Sequence, residues 1–166
     1  MIQRSALYHT IWRGHFYAGL FVVPMVLVLA LSGSLYLFKP QIERWEERAF
    51  RSLPAAETVS PDAQGEAALS AFPGARLHSY RLPEREGDAA LVHIALPGGK
   101  GMRDVFVSPQ GKVLGSLDPE KRIIAIDRAV HGQLLLGKRG NWIVELAASW
   151  GIVMILTGLY LWWPRG

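Results

Sequence analysis

Residues 15–38 read HFYAGLFVVPMVLVLALSGSLYLF, and after His15 no Asp, Glu, Lys, Arg or His occurs until Lys39. At about 1.5 Å rise per residue, such a run crosses the roughly 30 Å hydrocarbon core of a bilayer. A second run, Trp142 to Trp163, carries one charge, Glu145. Two such runs in a chain of 166 residues, half of them hydrophobic, predict two transmembrane helices, over 16–38 and 141–163. The first is longer than the apolar stretch of about 7–15 residues in a cleaved signal peptide. SGSLYLFKP stays apolar past its small residues and offers no good cleavage site, so the run reads as an uncleaved anchor.

The absence of cysteine excludes disulfides, thiolate metal sites and cysteine nucleophiles. A net charge of +4, with basic residues scattered among acids such as Glu43, Glu46 and Glu47, gives no basic stripe, and no nucleic-acid partner is expected.

Between the spans the chain is polar and punctuated by Gly and Pro. Residues 1–15 are read as an N-terminal interfacial segment, and 39–60 as a charged helix and linker, with QIERWEERAFRSL continuing the first span until Pro54. A small α+β domain is predicted over 61–118. It opens on a helix, PDAQGEAALSAF (61–72), with Pro in its first turn and Phe72-Pro73-Gly74 as its stop. RLHSYRL (76–82) and ALVHIAL (90–96) alternate as strands. MRDVFV and KVLGSL flank Ser108-Pro109-Gln110-Gly111, a hairpin turn. Residues 119–140 are read as an amphipathic helix and turn, with Ile123, Ile126, Val130 and Leu134 on one face and Gly137-Lys138-Arg139-Gly140 as its end.

Trp12, Tyr17, Trp142, Trp162 and Trp163 suit membrane interfaces. Ser32-Gly33-Ser34, Ala147, Gly151 and Gly158 offer small faces for close helix contact, which suggests partner helices beyond this pair. Two spans put both termini on one side. Lys39, Arg44, Arg48, Arg51, Lys138 and Arg139 outnumber Arg4, Arg13 and Arg165, so a charge count alone would leave the central loop in the cytoplasm. Loops longer than about 60 residues translocate largely regardless of charge.

The five histidines differ in setting. His9 reads as solvated, and His78 and His93 as strand residues. His15 borders the first span, where an ionisable group is costly and usually functional. His131 lies on the helix leading to the second span, beside Gly132. Imidazole serves as proton shuttle, zinc ligand or axial haem ligand. Zinc needs three or four donors, and the chain has no HxxxH or HExxH. Haem needs one or two histidines and a slot between apolar helices, a profile that suits these spans better. Antiparallel spans would set His15 and His131 roughly 30 Å apart, too far to share one iron. Glu145, one turn inside the second run, reads as a wet structural residue before a proton carrier.

Three elements, in order, carry a resemblance: WRGHFYAGL with its apolar run and LSGSLYLF; the hairpin VFVSPQGKVLG; and RAVHGQLLLG leading to TGLYLWWPR. Over nearly its whole length the chain resembles the PepSY-associated transmembrane family, which includes bacterial iron-regulated membrane proteins and ferric-siderophore reductases. Family members usually continue with further helices beyond the WWPR-like element, so the chain is expected to be the N-terminal portion of a longer protein. The resemblance implies a multi-pass inner-membrane protein whose two antiparallel spans bracket a periplasmic PepSY-like domain. It also implies haem b, two haems in the complete protein, with His15 and His131 as axial ligands. Electrons would cross the membrane to reduce a ferric siderophore, as part of an oxidoreductase. Arg13, Arg128, Lys138 and Arg139 are candidates to meet haem propionates. The expected partners are the lipid bilayer, a ferric siderophore, and further transmembrane helices from a longer chain or another subunit. The competing readings are a non-catalytic PepSY binding or regulatory module, and an accessory subunit for iron uptake.

Overall fold

The computed structural model describes residues 2–54 and 57–164. Met1, Ala55, Ala56 and Arg165, which fall in the segments and charge count above, lie outside the described residues. The chain forms two compact units, one of Met1–Phe38 with Ile126–Gly166 and one of Lys39–Ala125.

The first unit is helical. Helix α1 spans Ile2–Tyr36 and helix α5 spans Lys138–Trp162. They pack against each other in antiparallel sense, since Gly19 faces Met154 while Gly158 faces His15. Val22, Ser32 and Ala147 are buried, whereas Leu20 (69 %), Leu31 (72 %), Ile155 (65 %) and Leu156 (62 %) are exposed. Apolar side chains displayed along both helices suit lipid and would be a liability in water. The membrane-compatible stretches are Ala6–Tyr36 and Lys138–Trp162.

Three boundaries differ from the sequence expectation. Helix α1 begins at Ile2, so the segment before His15 is helical and continuous with the first span. No proline interrupts residues 2–23 to prevent that. At the other end, α1 stops at Tyr36 and a separate helix α2, Lys39–Glu46, follows. Pro40 lacks the N–H that would bond the Tyr36 carbonyl and crowds that turn, which favours a break there, although α1 itself runs through Pro24. The second span begins at Lys138, where a stop had been expected, with Gly137 at its N-cap (φ 58°). A Cβ on Gly140 would stand 1.6 Å from the carbonyl oxygen of Gln133, so this glycine lets the chain cross itself at the corner.

That corner follows helix α4, Ile123–Gln133. Its buried side chains are Ile124 and Asp127, while Ile123 (36 %) and Ile126 (46 %) are exposed and Leu134 has left the helix with φ 48°. The expected apolar face is therefore not the buried one. Apolar residues occur around most of α4, so spacing did not select a side.

The second unit holds the sheet. Helix α3 is Pro61–Ala71, with the Ser60 hydroxyl accepting from the Ala63 N–H. Strands β1 (Arg76–Arg81), β2 (Ala90–Ala95), β3 (Met102–Val107) and β4 (Val113–Leu117) form an antiparallel meander in chain order. Val92, Ile94, Val105 and Val107 alternate onto the face that α3 covers with Ala68. On the opposite face Phe50 stacks on Phe106 with centroids 4.1 Å apart.

Beside that stack lies an ionic network. Glu47, buried, meets Arg81 at 2.7 Å, Arg122 at 2.8 Å and Arg51 at 3.1 Å. Arg122 also reaches Glu46 at 3.1 Å and Asp104 at 3.2 Å, and Arg51 reaches Asp88 at 3.1 Å. Burial alone pushes the Glu47 carboxyl up, but hydrogen bonds and charge from Arg81 and Arg122 outweigh it and hold the group below its ordinary value.

Candidate functional site

The sequence singles out His15 and His131, and the structure gives both the same kind of neighbour. His15 Nδ1 lies 2.8 Å from the Thr157 hydroxyl of α5. His131 Nδ1 lies 2.8 Å from the Ser32 hydroxyl of α1. Each hydroxyl also donates back along its own helix, Thr157 to the Val153 carbonyl at 2.7 Å and Ser32 to the Val28 carbonyl at 2.9 Å. Each ring sits over a glycine as well. A Cβ on Gly158 would stand 3.4 Å from His15 Cε1, and one on Gly33 would stand 3.5 Å from His131 Cε1. Of the small residues read as helix-contact faces, Gly33 and Gly158 thus lie against imidazoles.

Both rings line grooves within the helical unit. His15 lines one of about 590 Å³ walled by Gly14, Ala18, Phe21, Trp150 and Val153 among others. His131 lines one of about 320 Å³ with Ser32, Gly33, Tyr36, Asp127 and Arg128. The second is the more polar: Asp127 is buried and its Oδ2 has no hydrogen-bond partner among the described residues. Arg128 shares that groove with His131. Arg13 is exposed and not among the groove walls near His15, and Lys138 and Arg139 are exposed in the first turn of α5. Glu145 is exposed too.

His131 is held at Ser32, 17 positions along α1 from His15, so the two rings are roughly 25 Å apart along the helix axis. They form two separate sites. Neither is a protein-only metal centre, because no group of three or more His, Cys, Asp or Glu side chains able to hold an ion occurs among the described residues. Each groove holds one imidazole whose Nδ1 meets a hydroxyl, with no hydrogen bond to Nε2 among the described residues.

The remaining histidines are placed elsewhere. His93 bonds Asp104 through Nδ1, which ties it to the Arg122 network, and His78 sits edge-on to it at 5.4 Å on the β1 bulge.

This architecture has a match among protein families. The model of the PepSY-associated TM region matches residues 12–166, more than nine-tenths of the chain. The chain belongs to that family. As a PepSY-associated TM protein with two lipid-compatible helices flanking a four-stranded α+β domain, it is a membrane protein whose surroundings include a lipid bilayer. No curated protein matches it. Sequence reasoning placed both histidines but missed Thr157 and Ser32 as their partners. The available signal was a hydroxyl residue directly before a glycine in each span, Ser32-Gly33 and Thr157-Gly158.

Proposed function

We propose that this protein carries electrons across the bacterial inner membrane on haem b, one haem at each groove, and delivers them to a ferric siderophore on the periplasmic side. The observation that carries the reading is the placing of His15 and His131 in two glycine-faced grooves about 25 Å apart along one helix. Bound haem supplies one-electron Fe(III)/Fe(II) chemistry, and the reduced iron leaves a hard-oxygen chelator that held the ferric ion. In this scheme His15 and His131 would hold the haem iron, with Gly158 and Gly33 beside their rings and the apolar walls of the His15 groove excluding water. Arg128 is the cation placed to pair with a propionate in the His131 groove. Further iron ligands would come from additional transmembrane helices, of a longer chain or another subunit. His15 then lies toward the cytoplasm, and the central domain lies in the periplasm.

The test is an absorption spectrum of detergent-purified protein, oxidised and dithionite-reduced, with His15→Ala and His131→Ala alongside. A reduced b-type α-band weakened by each substitution is the expected result. A colourless, folded protein carrying all its helices would refute the haem reading and favour a binding module.

A further inference from the structure

Resting on that reading, we infer that Thr157 and Ser32 are positioning residues, each fixing its histidine as the Nδ1–H tautomer so that Nε2 is the nitrogen offered to iron. A serine or threonine hydroxyl has one proton to give. Thr157 is 2.7 Å from the Val153 carbonyl and Ser32 is 2.9 Å from the Val28 carbonyl, both good donor distances. With the proton committed there, the hydroxyl meets the ring nitrogen only as an acceptor, at 2.8 Å in both cases. Nδ1 must then carry hydrogen. In a neutral ring, the chain carbonyl, hydroxyl, Nδ1–H leaves Nε2 as the lone-pair nitrogen, which is the one able to ligate a metal.

Back-bonding by itself is ordinary in apolar helices. Thr10, Ser34 and Ser149 do the same to Ala6, Ala30 and Glu145, with no imidazole bonded to them. What separates Thr157 and Ser32 is that each meets a histidine of another helix, from opposite ends of the helix pair, with matching geometry. The hydroxyl as acceptor also lends electron density to the ring, which favours the ferric state.

The experiment uses the detergent-solubilised chain with ¹⁵N-labelled histidine, as wild type, Thr157→Val, Ser32→Ala, Thr157→Ser, Ser32→Thr and the control Ser34→Ala. Before haem is added, ¹⁵N spectra report the tautomer of each ring. The expected result is Nδ1–H at His15 and His131, lost at His15 in Thr157→Val and at His131 in Ser32→Ala, and kept in the hydroxyl-retaining variants and the control. With haem added, haem dissociation is expected to rise about tenfold in Thr157→Val and Ser32→Ala, with a more positive reduction potential at the affected site. Wild-type rings protonated at Nε2 would overturn the inference, whether or not haem binds. Unchanged dissociation and potential in both hydroxyl deletions would overturn it as well. Tautomers read before haem is added decide this point by themselves, whereas the proposed function fails only if a folded protein carrying all its helices is colourless.

Discussion

Replacing Glu47 by alanine removes the centre of the ionic network and tests whether that network holds the sheet domain together. The Glu47 side chain is 3 % exposed and meets three guanidinium groups. Arg81, at 42 % exposed, can turn to water, so its share is that of a surface pair, about 0–1 kcal/mol. Arg122 and Arg51 are 10 % and 17 % exposed and cannot escape so easily. Removing one partner of a buried pair typically costs about 3–5 kcal/mol. Arg122 keeps Glu46 and Asp104, and Arg51 keeps Glu84 and Asp88, which puts the expected loss at the lower end, about 3 kcal/mol. Hydrogen exchange followed by mass spectrometry reads this directly. Amides of β2 and β3 that exchange only when the domain opens should do so roughly 150-fold faster in Glu47→Ala. Arg44→Ala, which breaks a pair exposed on both sides, should change exchange no more than about twofold. A Glu47→Ala effect as small as that of Arg44→Ala would refute the claim that burial makes this network matter.

Other outcomes follow from the same geometry. Glu47 is held below its ordinary pKa near 4.5 by Arg81 and Arg122 against the opposing effect of burial, and Glu84 below its own chiefly by the Arg51 hydrogen bond. Lowered carboxyl pKa values give stability that is full above the ordinary carboxyl range and lost as pH falls through the lowered native values. Amide protection of the sheet should therefore drop on acidification below about pH 4.5, and that drop should be shallower in Glu47→Gln. Gly140→Ala forces a methyl group into the Gln133 carbonyl and should cost about 4 kcal/mol or more, seen as reduced folded yield and faster proteolysis between α4 and α5. Gly158→Ala places a methyl at ordinary contact distance from His15 and should be tolerated, whereas the branched side chain of Gly158→Val should displace the ring and lower haem content by absorbance.

The elements that sequence made legible share one property: their signal is local. The uncharged runs, the alternation of ALVHIAL, the turn between MRDVFV and KVLGSL, and Pro61 in the first turn of its helix each fix a conformation from a few neighbouring residues, and all reappear in the structure. What stayed hidden depends on which surfaces meet. Glu47 sits in a run of mixed charge that reads as a solvated helix, and only the fold brings Arg81 and Arg122 onto it. Gly140 reads as a helix stop because a chain crossing leaves no local trace. Ser32 reads as part of a small interface face and Thr157 carries no reading of its own until helix pairing sets a histidine against each.

On the proposed haem reading, the difference between the two histidine sites bears on the direction of transfer. The His15 groove is walled mainly by aromatic and aliphatic side chains, while the His131 groove contains Arg128 and a buried Asp127 with one carboxylate oxygen unpartnered. A cation near a redox centre favours its reduced state, and an ionised carboxylate favours its oxidised state. Arg128 is exposed and screened, whereas Asp127 is buried and acts at closer to full strength. Asp127→Asn should therefore make the His131 site easier to reduce, measured as a positive shift of the second step in a potentiometric titration. Arg128→Gln should shift the same step negatively and by less. If Asp127→Asn moves only the His15 step, or neither, the carboxylate does not face the redox group at His131, and the polarity of that groove has another purpose.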